Sequence, residues 1–366
     1  MHESSIQQQI EDAYQTGKSL NIIGGDSKSW YGREVTGAPL HVGEHAGIIS
    51  YQPTELVITA RAGTTLSELS AALDEKKQRL PFDPPGFGKN ATLGGTVACG
   101  FSGPRRPYAG SCRDFVLGCR VINGKGEILT FGGQVMKNVA GFDVSRLMAG
   151  SLGTLGVLLD ISLKVLPHRQ AEQTLVVDAG FDEAVAMMNH WAGTPLPVTA
   201  MAADGKLVYF RICGTHSSVK KSATQIGGAI YADGLNLWKD IREHQLLFFD
   251  DKRPLWRFSV PSDAAHSVLA DAVCSDKNGA DNGSDTVDWF IGWGGAQRWL
   301  KSDLPAEQIF ALARKVGGHA TLFRGGDRSA DIFSPLPDAQ MLLHKRLKEA
   351  FDPKGIFNPG RMYRGL

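Results

Sequence analysis

Residues 150–157 read Gly-Ser-Leu-Gly-Thr-Leu-Gly-Val and run directly into an apolar strand signal that continues to residue 165. Two earlier segments also combine glycine and hydroxyl residues with apolar residues. Residues 22–30 read Ile-Ile-Gly-Gly-Asp-Ser-Lys-Ser-Trp, and residues 91–98 read Ala-Thr-Leu-Gly-Gly-Thr-Val-Ala. A strand that leads into consecutive glycine and hydroxyl residues presents a row of backbone N–H groups, which suits a pyrophosphate. Each segment alone is a weak signal, whereas their order and spacing together predict one ligand site.

Glycine is concentrated in the same region of the chain. Of the 43 glycines among 366 residues, 16 lie between positions 86 and 165. This region also contains strand signals at 115–122 and 156–165, and it shows no Gly-X-Y period, which excludes collagen. It therefore predicts a folded segment with many tight turns, in which glycine lets the backbone approach a ligand closely. A turn-rich β domain without a ligand is the alternative.

Length and composition limit the class of protein. A chain of 366 residues predicts roughly two domains. Lys and Arg number 39 against 38 Asp and Glu, and this net charge of +1 predicts binding to neither nucleic acid nor an anionic membrane. Five cysteines are too few for a disulfide scaffold and fit a reducing compartment. The polar N-terminus and the lack of a long apolar run predict a cytoplasmic chain without direct membrane insertion.

Hydrophobic periodicity predicts mixed helices and strands in the first 168 residues. Thr65 is followed three residues later by Glu68, as in a capping box, and predicts the start of a helix that runs to residue 77. Asn123-Gly124 is a turn signal between two strands over 115–131. The other elements predicted here are a helix over 2–17 and strands at 20–23, 48–51 and 56–60.

The amino-acid composition changes after residue 171, where glycine becomes sparser and tryptophan becomes frequent. Alternating strand and helix patterns predict an α+β domain with an antiparallel sheet. The predicted strands are 174–177, 207–212, 256–260 and 286–291, and the predicted helices are 181–191, 305–315 and, near the end of the chain, 339–351. Residues 275–285 read as a polar loop.

Several short motifs fail because their context is wrong. Residues 86–91 match G-x-G-x-x-A but follow two prolines rather than a strand, so a Rossmann site is not predicted. Residues 17–19, Gly-Lys-Ser, resemble the end of a Walker A loop, but position 12 is aspartate instead of the required glycine. His41 and His45 are separated by a helix-breaking glycine, and the cysteine spacings match neither zinc nor iron–sulfur sites. No metal site is predicted.

Taken together, the glycine segments resemble the flavin-binding domain of the vanillyl-alcohol oxidase and p-cresol methylhydroxylase (PCMH) type. The resemblance covers about residues 15–168, and the ending over 352–360, which contains Asp-Pro and Phe-Asn-Pro-Gly, also matches that family. It implies an α+β fold with a two-subdomain PCMH-type FAD-binding domain over 1–168. An α+β cap domain with an antiparallel sheet is expected over 169–330, and a C-terminal segment over 331–366 is expected to return to the FAD domain.

The same resemblance assigns residues to the cofactor. In that family the first glycine loop wraps the FAD pyrophosphate, the second segment lies along the flavin and ribityl, and the third reaches the adenine side. By position, the FAD-binding residues implied are Gly24, Gly25, Asp26, Ser27, Lys28 and Ser29, then Pro85, Gly94, Gly95 and Thr96, then Gly150, Ser151, Gly153, Thr154, Gly156 and Val157, together with Asn358. Members with covalent flavin carry a histidine in the first loop, where this chain has Asp26, so non-covalent FAD is implied.

Within that family the chain resembles the smaller flavin subunits of bacterial glycolate oxidases (glycolate dehydrogenases). The segments that carry this likeness are 137–150, 256–261, 293–299 and 318–324, so it extends over nearly the whole chain. It implies oxidation of glycolate, a small 2-hydroxy acid, to glyoxylate within a complex. The implied partners are a larger FAD-linked glycolate oxidase subunit and an iron–sulfur subunit, through which any contact with the inner membrane is made. The chain has no clustered cysteines with which to bind iron–sulfur clusters itself.

Oxidation of a 2-hydroxy acid requires a hydride acceptor, a base for the hydroxyl proton and a cation for the carboxylate. His319 is the candidate base, and Arg257, Arg298 and Arg324 are candidates for the cation, with Arg257 and Arg324 preferred. Structural alternatives remain open, because an arginine beside tryptophan often stacks or snorkels and His319 follows two glycines that can end a strand.

Two further functions remain open at this point. The larger subunit and its dehydrogenase relatives carry a paired-histidine metal motif, and this chain has Gly-His-Ala-Thr-Leu-Phe-Arg at 318–324 instead. The chain could therefore be a non-catalytic FAD-binding relay or scaffold subunit. It could also be a stand-alone FAD-dependent oxidase of another hydroxy acid.

Overall fold

A five-stranded antiparallel sheet organises the first part of the chain. Its neighbouring strands are, in order, residues 48–52, 57–61, 157–164, 116–122 and 128–132. The computed structural model describes residues 2–133, 143–275 and 288–366, with the backbone alone at 274 and 275. In chain order the elements up to residue 167 are α1 (Glu3–Thr16), β1 (Leu20–Ile23), β2 (Ala38–His41), β3 (Ile48–Gln52), β4 (Val57–Arg61), α2 (Leu66–Glu75), β5 (Gln78–Arg79), α3 (Leu93–Cys99), α4 (Arg106–Ala109), α5 (Cys112–Phe115), β6 (Val116–Ile122), β7 (Ile128–Gly132), α6 (Val144–Leu147), β8 (Val157–Lys164) and β9 (Leu166–Pro167).

The apolar run after the third glycine segment becomes the central strand of this sheet. Strand β8 is buried along all but its last residue, because α2 and α3 pack on one face of the sheet and α1 packs on the other. Its two buried polar side chains are paired: Ser162 hydrogen-bonds Thr59 at 2.9 Å, and Asp160 lies 2.5 Å from an Arg120 nitrogen. A strand covered on both faces must be almost continuously apolar, and the sequence of β8 meets that requirement.

A larger antiparallel sheet occupies the second part of the chain. Within the described residues its neighbouring strands are, in order, 229–230, 171–178, 207–214, 198–203, 289–292, 297–301, 255–259 and 319–324. The elements here are β10 (Ala171–Asp178), α7 (Phe181–Ala192), β11 (Val198–Ala203), β12 (Leu207–Gly214), α8 (His216–Ile226), β13 (Ala229–Ile230), α9 (Gly234–Glu243), a 3-10 turn (Leu247–Phe249), β14 (Leu255–Ser259), α10 (His266–Ser275), β15 (Trp289–Gly292), a second 3-10 turn (Trp293–Gly295), β16 (Gln297–Lys301), α11 (Ala306–Lys315) and β17 (His319–Arg324).

Alternation along these strands divides their side chains between two faces. On β14, Trp256 and Phe258 point into a core that also contains residues of α10 and α11. On β17 and β16, Phe323 and Trp299 instead join a cluster with Tyr31 and Phe101 of the first part of the chain. One face of the large sheet is therefore covered by its own helices, and the other packs against the glycine-rich part of the chain.

The end of the chain packs against the first sheet region. After α12 (Asp338–Phe351), Phe357 forms a parallel bridge with Leu20, next to the first glycine loop. The buried Lys348 amine donates hydrogen bonds to Asp352 and to the backbone oxygens of Thr154 and Phe357, at 2.7, 2.8 and 2.7 Å. We propose the division into residues 1–168, 169–330 and 331–366 on the basis of these packing relations.

The structure confirms most of the predicted elements, and the differences have local causes. One half of the predicted capping box at α2 is present, since the Thr65 hydroxyl accepts a hydrogen bond from the Glu68 N–H at 3.1 Å; the return bond from the Glu68 side chain is not among the contacts of the described residues. Helix α3 was not predicted, because two adjacent glycines disfavour a helix; here the Thr92 hydroxyl caps it by accepting from Gly95 N–H at 3.2 Å. The motif residues 137–142, the loop residues 276–285 and strand residues 286–287 lie outside the described residues.

No helix in the described ranges has both the length and the hydropathy needed to cross a membrane.

We expect Lys348→Met to destabilise the fold by about 3–5 kcal/mol, because it leaves the Asp352 carboxylate buried without its cation. Chemical denaturation monitored by circular dichroism gives the free energy of unfolding. Lys345→Met is the matched control, since Lys345 is exposed on the same helix and its replacement should change that free energy by less than about 0.5 kcal/mol. Equal stability of the two variants would contradict this account of the C-terminal segment.

Candidate functional site

The three glycine segments meet around one cavity of about 390 Å³, which we call the glycine cavity. The first loop contributes the largest share of its wall, and residues from both ends of α3 and from the segment before β8 contribute the rest. Of the residues predicted to bind FAD, those that line the glycine cavity are Gly24, Gly25, Asp26, Ser27, Lys28, Ser29, Gly94, Gly95, Gly153, Gly156 and Asn358.

Close backbone contacts explain why glycine is needed in this wall. A Cβ atom on Gly25 would lie 1.5 Å from the carbonyl oxygen of Asn90, and one on Gly94 would lie 2.7 Å from the Cβ of Ala62. Neither space can be opened by rotating a side chain, since the obstacles are backbone or Cβ atoms. The glycines therefore allow the first loop, the segment before α3 and the strand β4 region to converge.

The first loop is the part of the cavity that can bind an anion. Within the described residues, no acceptor is present for the backbone N–H groups of residues 25–29. The N–H groups at the start of α3 are already used, because Leu93, Gly94 and Gly95 donate to Thr64 O, Ala62 O and the Thr92 hydroxyl. A row of unused N–H groups on a glycine loop is the arrangement that binds phosphate oxygens. The first loop thus fits a pyrophosphate better than α3 does.

Three cationic side chains border the glycine cavity. Lys28 is 6% exposed, and its amine donates to the Ser27 hydroxyl and the Gly86 carbonyl, both at 3.1 Å. Arg328 donates to Ser29 O at 2.7 Å and Arg361 donates to the same oxygen at 3.0 Å. Burial, and then the charge of Arg328, lower the pKa of Arg361 to about 10. Two neighbouring guanidinium groups in a cavity favour an anionic ligand.

Sequence reasoning missed both arginines. Arg361 directly follows the Asn-Pro-Gly ending that was recognised, so its position was a usable signal. Arg328 lies in a stretch without a motif, after β17, and only its tertiary contacts with Gly32 O and Ser29 O bring it to the cavity.

Six of the residues predicted to bind FAD do not line the glycine cavity. Pro85 lines a different cavity, described below. Thr96 is inside α3 with its hydroxyl buried, and the Thr154 hydroxyl donates to Ser151 O at 2.7 Å. Val157 begins β8, where alternation turns its side chain into the core against α1. Gly150 and Ser151 belong to the turn before β8, and with Thr96, Thr154 and Val157 they are supporting rather than lining residues.

Asn358 joins two of the glycine segments. Its side-chain oxygen accepts from Ile22 N–H at 2.8 Å, and its side-chain nitrogen donates to Leu152 O at 2.7 Å. The residue is 5% exposed, so both bonds are shielded from water. Asn358 therefore lines the glycine cavity and also fixes the spacing of its first and third segments.

A second, much smaller cavity of about 40 Å³ lies between the large sheet and the loops around residues 85–104; we call it the aromatic cavity. Arg257, in the middle of β14, faces it, and its guanidinium donates to the Tyr31 hydroxyl at 3.2 Å. The rings of Phe101 and Phe323 line the aromatic cavity and also contact Trp30 and Tyr31, which follow the first glycine loop directly. These four rings form an aromatic cluster that links the wall of the aromatic cavity to the residues after the first glycine loop.

His244 is a residue of the aromatic cavity that sequence reasoning missed. It caps α9 in a left-handed conformation with φ of 55°, and its ring stacks on Phe249 at 3.9 Å. Its Nδ1 atom is buried and has no hydrogen-bond partner within the described ranges. Desolvation, and then the charges of Arg324 and Arg257, hold its pKa well below the usual range, so the ring is neutral at pH 7. No motif surrounds it in the sequence.

The other candidate catalytic residues have different positions. His319 is exposed at the first residue of β17 and lines neither cavity. The Arg324 guanidinium stacks 4.5 Å from the Trp30 ring centroid. Arg298, 0% exposed, points into the helix-covered side of the sheet and donates to Gly295 O at 2.6 Å and Ala264 O at 2.9 Å. The prediction of Arg298 as a carboxylate ligand is wrong, because strand alternation puts it on the face opposite Arg257.

No group of three or more His, Cys, Asp and Glu side chains in the described ranges is arranged to hold a metal ion.

We expect Gly25→Ala to weaken binding of FAD and ADP at least about tenfold, because the added methyl group forces the first loop away from Asn90. Fluorescence titration gives the dissociation constants, and circular dichroism checks the fold. The control is Gly180→Ala, where φ is −70° and nothing lies within 4 Å of the added carbon. Unchanged FAD affinity in Gly25→Ala would contradict the assignment of this loop.

We expect Arg361→Ala to weaken binding of FAD and ADP by about tenfold or more, because a charge-assisted contact to the pyrophosphate is lost. Riboflavin, which has no pyrophosphate, should lose less affinity. Arg364→Ala serves as the control, since the Arg364 side chain is 67% exposed. If riboflavin and FAD lose affinity equally, Arg361 does not act through the pyrophosphate.

Comparisons with known proteins agree with this geometry. Residues 1–132 match the family model described as an FAD binding domain. Glycolate oxidase subunit GlcE of Escherichia coli (strain K12) is 45% identical over 365 residues, which span 100% of this chain and 98% of that protein. A D-lactate dehydrogenase of Archaeoglobus fulgidus is 28% identical over 348 residues, covering 83% of this chain and 76% of that protein.

Solved structures show the same fold at low identity. A 4-ethylphenol oxidase from Gulosibacter chungangensis has a TM-score of 0.72 and 16% identity, with 99% of this chain and 88% of that chain covered. An alkyldihydroxyacetonephosphate synthase has a TM-score of 0.70 and 16% identity, with 97% and 74% covered. The predicted α+β, PCMH-type fold is confirmed, and the full-length identity shows that this chain belongs to the family of glycolate oxidase subunit GlcE, an FAD-dependent oxidoreductase family.

Proposed function

We propose that this chain binds FAD non-covalently and is the flavin subunit of a complex that oxidises glycolate to glyoxylate. The observation that carries the proposal is a pair of cavities: a glycine cavity with unused N–H groups and cations, and an aromatic cavity lined by the Arg242 and Arg257 side chains and the neutral imidazole of His244. The first suits a dinucleotide cofactor, and the second suits a small hydroxy acid.

The residues of the glycine cavity fit FAD. The N–H groups of residues 25–29 would hold the pyrophosphate, and Arg328 and Arg361 would neutralise its charge. Cys99 also lines the cavity, but burial raises the pKa of its thiol to about 11, so little reactive thiolate exists at pH 7. With Asp26 in place of a histidine in the first loop, non-covalent binding is the better supported mode.

The aromatic cavity would hold the substrate. Bound FAD supplies the hydride acceptor that oxidation of an alcohol carbon requires. Arg257 would bind the carboxylate, and the unpartnered Nδ1 of His244 would accept the hydroxyl proton as glycolate loses its hydride. This arrangement puts His244 in the role that the sequence suggested for His319.

The electrons must then leave the chain. We propose that they pass to an iron–sulfur subunit, in a complex that also contains a larger FAD-linked subunit and is cytoplasmic, with any contact to the inner membrane made by the partners. The multi-subunit context is supported by the names of related proteins, which are glycolate oxidase subunits from Escherichia coli and Bacillus subtilis.

A second candidate function is electron relay or scaffolding without substrate oxidation. The observation that favours it is the aromatic cluster between the cavities, in which Phe101 lies 4.6 Å from Tyr31 and 5.4 Å from Phe323 between ring centroids. Such packing restricts substrate access to the glycine cavity, and substrate oxidation would then take place on the larger subunit.

We expect glycolate to bleach the long-wavelength flavin band of the FAD-loaded chain under anaerobic conditions. Arg257→Met should slow this reduction by about 10- to 100-fold with FAD retained, because the carboxylate loses a charged hydrogen-bond partner. His244→Phe keeps the ring stacking but removes the proton acceptor, and it should also slow reduction.

The control is Arg314→Met on the exposed face of α11, which should reduce at the wild-type rate. If the wild-type chain binds FAD but glycolate does not bleach the flavin band, the catalytic proposal is contradicted and the electron-relay function is favoured. Bleaching by a different hydroxy acid, with dye turnover in the absence of partners, would favour a stand-alone oxidase.

A further inference from the structure

A third cavity, of about 610 Å³, lies at the junction between the two parts of the chain; we call it the junction cavity. Strand β5 and the loop before α4 form one side, and β11 and the end of β12 form the other. The linking residues 168–170, between β9 and β10, run along it. The FAD-binding and substrate roles proposed above use none of the residues that line it.

The lining of the junction cavity is strongly cationic. Arg79, Arg105, Arg169 and His168 line it, and none of the described lining residues is Asp or Glu. Gly214 and Thr215, which precede the first turn of the 11-residue helix α8, also line it, so the positive end of that helix dipole lies nearby. All of these features favour an anion.

Arg79 is the partly buried arginine of this cavity that has no carboxylate at hydrogen-bond distance among the described residues, although the charge of Asp83 acts on it from farther away. Its guanidinium is half-buried and makes no hydrogen bond or ion pair within the part of the chain that the structure describes. Burial, and then the charge of Arg105, lower its pKa to about 10. A partly buried guanidinium that has no bonded carboxylate favours an anion as its partner.

The neighbouring carboxylates are already committed to other arginines. Glu172 accepts from Arg105 at 2.8 Å and from Arg211 at 2.7 Å. Asp83 lies 2.9 Å from an Arg242 nitrogen and 3.5 Å from an Arg211 nitrogen. Arg242 also donates to Glu243 at 2.8 Å, so these three arginines bind three acids, and Arg79 has no carboxylate at hydrogen-bond distance among the described residues. Arg79 therefore gives the junction cavity an excess of positive charge.

We propose that the junction cavity binds a small oxyanion, a phosphate or a di-carboxylate, with Arg79 as its principal ligand. Arg169, exposed on the linker, and the positive end of the α8 dipole would complete the site. Such an anion bridges the first part of the chain and the large sheet, so its binding couples the two parts and stabilises their relative position.

Inorganic phosphate and malonate are the probes, and thermal unfolding and calorimetric titration of the FAD-loaded chain are the measurements, with chloride held constant. We expect saturable binding of at least one probe to wild type. Arg79→Gln should weaken that binding about tenfold or more, and Arg169→Gln should weaken it less. Lys221→Gln, an exposed neighbour on α8, should leave it unchanged. The stronger of the two probes identifies phosphate or carboxylate as the preferred group.

A second measurement tests the same idea without a ligand. In anion-free buffer Arg79→Gln should not lower the melting temperature, because it removes an unpaired charge and its repulsion with Arg105. A lowered melting temperature there, absent saturable binding, or equal affinity in wild type and Arg79→Gln would overturn the proposal. Binding that disappears when FAD is loaded would also overturn it, because the anion would then occupy the glycine cavity. Since FAD content is read independently from the flavin absorbance, failure here leaves the FAD proposal untouched.

Discussion

The two hydrogen bonds of Asn358 are the interaction on which the rest of the cofactor site depends. A single amide bridges Ile22 N–H in the first glycine segment and Leu152 O in the third, although more than 300 residues separate it from the first. Because the amide both accepts and donates, each segment satisfies a backbone group that would otherwise be buried without a partner. The glycine cavity exists as a space of fixed width because this bridge sets the separation of its walls.

The same C-terminal segment supplies charge as well as spacing. Arg361, three residues after Asn358, and Arg328 both donate to the carbonyl oxygen of Ser29. These contacts leave the N–H groups of residues 25–29 free and place two cations beside them. The site is therefore built from both ends of the chain, and an anionic cofactor resolves the electrostatic strain that the arrangement creates.

Alternation along the large sheet decides which arginine can meet a substrate. Arg257 and Arg298 lie on neighbouring strands β14 and β16, yet one faces the aromatic cavity and the other is sealed under helices. Because successive side chains of a strand point to opposite faces of the sheet, one face presents Arg257 to the aromatic cavity and the other packs under the helices. Where three arginines bind three carboxylates at the junction of the two parts, the fold leaves a further cationic position, Arg79, open to a ligand.

The sequence by itself determined the class of fold, the glycine-rich cofactor segments and the first-loop residues, because glycine content, strand periodicity and capping residues act locally. The local sequence did not predict α3, because two adjacent glycines disfavour a helix and only the hydrogen bond from Gly95 N–H to the Thr92 hydroxyl caps it. Only the tertiary structure decided that Val157 and Thr154 support the cavity rather than line it, and that His244 rather than His319 faces the aromatic cavity. Those assignments depend on strand register and on contacts between residues far apart in sequence, which no local pattern encodes.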